Sequence, residues 1–210
     1  DPASGFGVRN RSPQINPLYY DPSITYFPWV KADGSRYPDA NVLCAPHSPI
    51  TSGLLNSVLN CRNLTTTNVN LNGNAWVECN RYLGCSLDYS NRGFWPATYY
   101  WYKGAGDSWS VSSFETVYIG PWKPYYIGHG RDQRDDCVYA ENAVCTYQEE
   151  LQNFANWYTY YRSRISAARA GSGLAFAQQG ANIRVGFGSL NSSARYVDGK
   201  YTSVLRKGVR

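Results

Sequence analysis

The sequence has no methionine, not even at its first position, which is Asp1. The expectation is therefore a processed or excised piece of a longer protein, in which a missing leader says nothing about export. Charged residues are scarce, at 17%. No apolar run approaches the ~20 residues that a membrane span needs. No CxxC pair occurs, which argues against a zinc site or a thioredoxin-type motif. The phosphate-cradling GxxxxGK[ST] and GxGxxG patterns are missing as well. So is a nucleophile elbow, since Gly171-Ser-Gly173 falls inside a predicted helix. His47 and His129 are the only histidines, and neither has a cysteine or acid at ligand spacing. A net charge of +5 is modest, and without a recognition motif it gives no case for nucleic acid.

What is present is aromatic: 19 Tyr, 7 Trp and 7 Phe in 210 residues. That length can bury a real core. The six cysteines are Cys44, Cys61, Cys79, Cys85, Cys137 and Cys145. An even number without metal-site spacing reads as disulfides formed in an oxidising compartment. Two close pairs, Cys79 with Cys85 and Cys137 with Cys145, would close short loops and leave Cys44 with Cys61. Spacing alone leaves other connectivities open. Charge is uneven. Residues 1–146 carry 11 basic and 12 acidic side chains, and residues 147–210 carry 9 and 3. An anionic partner is one reading of this. The other, which we prefer, is a basic helix and strand that pack on something acidic.

Residues 1–146 read as irregular β structure, punctuated by Gly, Pro, Asn, Asp and Ser. Short strands are predicted at Ile24–Val30, Ala75–Glu78, Ala97–Tyr102 and Thr116–Ile119. Asp33-Gly34 and Asn72-Gly73 are turn signals. The pattern changes at Thr146. Thr146 and Glu149 form a capping box, and Glu149 and Glu150 place acid in the first turn of a helix. Apolar residues follow at Leu151, Phe154, Tyr158, Tyr161, Ile165 and Ala168, which is one helical face. The prediction is a single long helix, weakened at Gly171 and Gly173 and stopping near Gly180. A strand over residues 182–190 follows, with Ile183, Val185 and Phe187 on one side. A second strand near 201–205 should come after a turn at Asp198-Gly199. Such a helix feeding such a strand suggests an α/β unit, and with so few elements an incomplete one. The fold class expected is thus α+β with a partial α/β end. Residues 1–146 form a disulfide-bearing, β-rich region, and residues 147–210 a helix–strand region.

Four segments carry a family likeness. Asn153-Phe-Ala-Asn-Trp-Tyr-Thr-Tyr-Tyr-Arg162 and Arg184-Val-Gly-Phe-Gly-Ser-Leu-Asn191 resemble motifs of the PilY/PilC family of type IV pilus tip adhesins and biogenesis factors. Upstream, Asn16-Pro-Leu-Tyr-Tyr-Asp-Pro-Ser-Ile-Thr-Tyr-Phe-Pro-Trp29 and Phe94-Trp-Pro-Ala-Thr-Tyr-Tyr100 are similar to two more, in the same order. The resemblance implies an exported protein with a von Willebrand factor A-like domain, a long insertion within it and a β-propeller after it. Residues 1–146 would be mostly insertion, and 147–210 the first helix and next strands of the A-like domain. The family's Asp-x-Ser-x-Ser metal loop and its later ligands do not occur here. No cofactor is expected in this segment, although the parent could hold Ca or Mg. The implied place is the cell surface, at a pilus tip associated with the outer membrane and reached through the periplasm. The implied partners are the rest of the parent, pilin or minor pilins, and a host surface or glycan.

Candidate contact residues are the clustered aromatics Tyr99, Tyr100, Trp101, Tyr102, Trp122, Tyr125 and Tyr126. Tyr and Trp offer rigid amphipathic area to a partner, and in a loop-rich fold they equally serve as core. Asp132, Asp135 and Asp136, with Glu141 nearby, are an oxygen-rich group of the kind calcium uses. Their spacing fits no EF-hand, and an Arg-paired loop is the better reading. The function expected is non-enzymatic: pilus assembly and adhesion through protein contacts. The alternative is a secreted carbohydrate-binding module that uses exposed Tyr and Trp. No spacing supports a hydrolase, whose paired carboxylates are a geometric feature.

Overall fold

The computed structural model describes residues 5–50, 60–69, 76–80, 84–90, 92–179, 186–189 and 193–207. A short helix α1 (Gly5–Asn10) opens the chain. Ten short strands follow: β1 (Ala45–Pro46), β2 (Cys61–Arg62), β3 (Asn68–Val69), β4 (Trp76–Asn80), β5 (Gly84–Asp88), β6 (Gly93–Phe94), β7 (Thr98–Tyr102), β8 (Phe114–Tyr118), β9 (Tyr125–Ile127) and β10 (Val144–Thr146). Helices α2 (Tyr147–Tyr160) and α3 (Arg164–Ala177) come next. The last strands are β11 (Phe187–Gly188), β12 (Arg195–Val197), β13 (Lys200–Thr202) and β14 (Leu205–Lys207). Among the described residues every ladder is a two-stranded antiparallel pair.

Among the described residues no sheet is wide enough to organise the fold, so a helix does it. The Thr146 hydroxyl accepts from the Glu149 backbone N–H at 3.3 Å, and Glu149 accepts from the Thr146 N–H at 2.8 Å. The capping box read from the sequence is complete. From Glu150 to Tyr160 every residue except Gln152 is buried. Clustered with α2 are Tyr20, Tyr26 and Trp29 from the N-terminal segment and Tyr99, Val117, Ile119 and Tyr126 from β7–β9 and their connection. Tyr20 alone meets the rings of Tyr26, Tyr99, Phe154 and Trp157, with centroids 4.9–5.9 Å apart. Tilted and edge-on pairs at such distances are the favourable arrangements for aromatic rings.

The predicted strand at Ile24–Val30 is not one. Only Val30 makes a bridge, to Arg36. Pro28 and Pro38 cannot donate to a ladder, and side chains of α2 replace the missing strand. Asn153 accepts from the Tyr26 N–H at 2.7 Å and donates to the Ile24 carbonyl at 2.8 Å. Asn156 accepts from the Ala40 N–H at 2.9 Å, and Gln152 donates to the Ala40 carbonyl at 2.9 Å. The hydroxyls of Tyr160 and Tyr161 donate to the carbonyls of Pro38 and Phe27. Segment 24–40 is therefore extended on either side of a turn at Asp33-Gly34 and pinned to a helix.

The long single helix is also corrected. It breaks at residues 161–163, and Ser163 starts a new helix by accepting from the Ser166 N–H at 3.1 Å. Leu151, Phe154 and Tyr158 are buried as expected, whereas Ile165 and Ala168 are exposed. Gly171 and Gly173 lie within α3, which ends at Ala177. The Asp33-Gly34 turn forms, with the Gly34 N–H bonded to the Lys31 carbonyl. The Asp198-Gly199 turn forms too, with φ of 48° and 78°, and joins β12 to β13. The Asn72-Gly73 turn and residues 182–185 of the predicted strand lie outside the described residues. From that strand Phe187–Gly188 pairs antiparallel with β14.

Disulfides join Cys44 to Cys61 and Cys137 to Cys145. Cys79 and Cys85 are register partners across β4 and β5, and Cys85 is disulfide-bonded.

Candidate functional site

Two features near β9 and β10 define the candidate site: a buried ionic frame and the aromatic surface it supports. The frame begins at Gly128-His-Gly130, where three successive residues have positive φ. Gly130 must be glycine, since a Cβ there would sit 2.6 Å from the Ser23 Cβ. This turn delivers Arg131 and, after a further turn, Arg134 into the interior. Both are buried, and Glu150 between them has no exposed surface. Arg131 holds Glu150 at 2.6 and 3.2 Å, and Arg134 holds it at 2.6 Å. Arg134 also grips Asp136 through two bonds of 2.8 and 2.7 Å. Two guanidinium groups and two carboxylates thus balance in charge. Tyr20 adds a hydroxyl donor to Glu150 at 3.0 Å.

The electrostatics follow the packing. Burial pulls the guanidinium groups of Arg131 and Arg134 toward lower pKa, but the carboxylates outweigh it and both end above their ordinary value. Half-burial pushes the Asp136 carboxyl up, yet the Arg134 fork holds it below the usual range. Tyr99 accepts from Arg131 at 2.7 Å and lies 2.9 Å from His129 Nδ1, while His129 Nε2 is 3.2 Å from Glu115. These distances fit a neutral imidazole in which the Tyr99 hydroxyl donates to Nδ1 and Nε2–H donates to Glu115. Burial, with help from the Arg131 charge and against Glu115, lowers the His129 pKa. The ring stacks on Trp101 at 4.3 Å. Glu115, His129 and Tyr99 resemble a relay in their order only. Tyr99 is buried and its hydroxyl is fully engaged, so it is no nucleophile.

The contact candidates divide sharply. Tyr99, Tyr100 and Tyr126 are buried in the core, and burial removes them from any contact set. Trp101 and Tyr102 are half-buried. Tyr102 packs on Phe114. Trp122 and Tyr125 are exposed, at 61% and 49%. Trp122 lies over Gly120, where a Cβ would be 2.3 Å from the indole, and meets Trp95 edge-on at 4.8 Å. On β9 the alternation is clean: Tyr126 points inward, Tyr125 and Ile127 outward. Ile127 pairs with Val144, and Val144 bridges to Tyr139. Cross-strand partners share a face. Ile127, at 67% exposed, and Tyr139, at 52%, therefore extend the Tyr125 surface into an apolar row. Cys137–Cys145 ties the segment that leads into Tyr139 to β10.

The acidic group gathers only in part, with Asp135 and Asp136 meeting at the Thr25 hydroxyl. Asp132 accepts from Gln133, Asp135 from Thr25, and Asp136 from Arg134 and Thr25. Among the described residues no three His, Cys, Asp or Glu side chains converge on a metal-sized site.

Sequence reasoning missed the Arg131–Glu150–Arg134 frame. Glu150 reads locally as a first-turn acid, and nothing along the chain says which side of the helix is covered. The two arginines at three-residue spacing were the available signal. Ile127 and Tyr139 were missed because their adjacency arises only through β10.

Against this geometry the relatives are informative. The chain is 30% identical over 198 residues to the type IV pilus biogenesis factor PilY1 of Pseudomonas aeruginosa strain UCBPP-PA14, covering 89% of this chain. Its likeness to PilY1 of strain PAK is 46% over 98 residues, and to that of strain PAO1 39% over 62 residues. The relationship is to PilY1-like proteins. The chain spans 14% of the length of the UCBPP-PA14 protein, 8% of the PAK protein and 5% of the PAO1 protein. No protein-family model matches the chain, and no solved structure does. Among the described residues no helix is long and apolar enough to cross a membrane.

Proposed function

We propose that the chain is a non-enzymatic contact module of a type IV pilus-associated surface protein, acting in pilus assembly and in adhesion to surfaces or host cells. In this reading it is exported through the periplasm to the cell surface. Its partners are the rest of the parent protein and pilin or minor pilins. Residues 1–146 serve as an insertion, and residues 147–210 contribute to a von Willebrand factor A-like domain completed elsewhere in the parent. A divalent cation in that domain would be held by residues outside this chain.

The observation that carries the reading is the exposed apolar row Tyr125, Ile127 and Tyr139 on a rigid base. Exposed apolar area mounted on an ordered frame is what a protein contact requires. The likeness to PilY1 supplies the setting. The test is co-purification of tagged parent protein with minor pilins, using Ile127→Arg and Tyr139→Ala. We expect unchanged melting temperature, lost co-purification and reduced piliation. Wild-type piliation, twitching and adhesion in the double variant would end this reading.

A further inference from the structure

Three arginines from distant parts of the chain line one pocket of about 290 Å³. Arg11 follows α1, Arg62 ends β2, and Arg162 lies between α2 and α3. Most of the remaining wall is aromatic, chiefly Tyr19, Phe94, Trp157 and Tyr158, and among the described residues no acidic one lines it. The contrast with Arg131 and Arg134 is direct. Those two are matched to carboxylates, whereas Arg11, Arg62 and Arg162 make no salt bridge among the described residues.

Two of the guanidinium groups are positioned by ring faces. Arg162 lies 4.2 Å over Tyr158, and Arg62 lies 5.1 Å over Phe94. Stacking fixes the plane and leaves the N–H edge to a ligand. Arg162 spends part of that edge on the Tyr158 hydroxyl and the His47 carbonyl, at 3.2 and 3.3 Å. The polar atoms of the rings are already engaged. Tyr19 donates to the Thr98 carbonyl, Trp157 donates to the Leu18 carbonyl, and the Tyr158 hydroxyl meets His47 Nδ1. Burial pushes the Tyr19 pKa up, while the fields of Arg11 and Arg162 pull it down, so both charges reach the same wall.

What the pocket offers a ligand is therefore flat apolar faces and guanidinium donors. A sugar ring suits a flat aromatic face, and a carboxylate or sulfate suits an arginine fork. We propose that this pocket binds the acidic end of a saccharide, a uronate, sialic acid or sulfated sugar, with its anionic group between the arginines and its ring against the aromatic wall. This holds whether or not the parent works at a pilus.

The test is calorimetry on the 210-residue chain with 3′-sialyllactose, trigalacturonate and a sulfated heparin disaccharide, with lactose and an acidic tetrapeptide for comparison. At least one acidic sugar should bind ten times more tightly than lactose, and added salt should weaken it. Arg62→Gln and Arg162→Gln should each weaken that binding roughly tenfold, the scale of one charge-assisted bond. Arg162→Lys keeps the charge but loses the fork, and should fall between. Arg164→Gln, outside the pocket, should change nothing. Thermal melts identify any variant that fails to fold, and the remaining variants then decide. The proposal is overturned if no acidic sugar binds, if lactose binds equally, if the peptide binds more tightly than the sugars, or if the folded variants keep full affinity.

Discussion

Helices α2 and α3 are each 14 residues long and adjoin in sequence, yet they have opposite fates. Nearly all of α2 beyond its first turn is buried, whereas α3 has no buried residue at all. Both begin with a side-chain cap, and both contain good helix formers. The difference lies in what their side chains do for the rest of the chain. On α2, Glu150, Gln152, Asn153, Asn156 and Tyr160 satisfy charges or backbone groups from elsewhere. Among the described residues, bonding by α3 side chains is confined to its start, where the cap Ser163 meets Ser166. One helix is therefore a scaffold for the fold, while the other meets the core only along a half-buried face that includes Ala170.

The largest expected effect tests the ionic frame. Glu150→Gln preserves shape but leaves Arg131 and Arg134 with too little negative charge. Breaking a buried pair in this way costs about 3–5 kcal/mol, a large share of an ordinary domain's stability. Urea unfolding should show the loss directly. A change below about 1 kcal/mol would mean that water or rearrangement replaces Glu150, and α2 would not be the electrostatic centre of the fold.

Next in size is the clasp on segment 24–40. Asn153→Ala strands the Tyr26 N–H and the Ile24 carbonyl. The buried Tyr26 N–H alone should cost about 1–3 kcal/mol, and the half-buried Ile24 carbonyl less. Hydrogen exchange should show Tyr26 losing protection before the rest of the core. Equal loss of protection everywhere would show that the segment is not held by this residue.

This pair of tests also shows how far the sequence was legible. The α2 start was readable because a capping box is local: Thr146 and Glu149 need only each other. The turn at Asp198-Gly199 was readable for the same reason. The motif Asn153-Phe-Ala-Asn156 could be matched to a family but not explained. Its asparagines act on residues more than a hundred positions away, and no periodicity encodes that. The same holds for Tyr99 and Tyr126 against Trp122 and Tyr125. Residue type says "aromatic", and only the finished pairing of β7 with β8 and of β9 with β10 decides which ring points inward. The break before Ser163 was missed because the apolar spacing continues across it, while the backbone does not.

A smaller effect concerns His129. Its folded-state pKa is lowered, chiefly by burial, so the unfolded chain takes the proton more readily. The stability linked to this group is complete above the unfolded value of about 6.5 and declines as pH falls toward the folded pKa. Urea midpoints should therefore drop as pH is lowered below about 6.5. His129→Asn tolerates the positive φ and removes the imidazole, so it should flatten that part of the curve. An unchanged slope would assign the proton uptake to another group.

The smallest effect is the sharpest test of the contrast between the helices. Ile165 on α3 is 66% exposed, so Ile165→Lys should change the stability of the isolated chain by no more than about 0.5 kcal/mol. The matching change on α2, Leu151→Ala, removes a buried side chain and should cost about 2–5 kcal/mol. If Ile165→Lys instead destabilised the isolated chain by more than about 1 kcal/mol, α3 would belong to the same cooperative unit as α2. If the variant is silent in the isolated chain but lowers the yield or protease resistance of the longer parent, Ile165 is buried there. The apolar side chains left open on α3, Ile165, Leu174 and Phe176, would then mark where the rest of the protein docks.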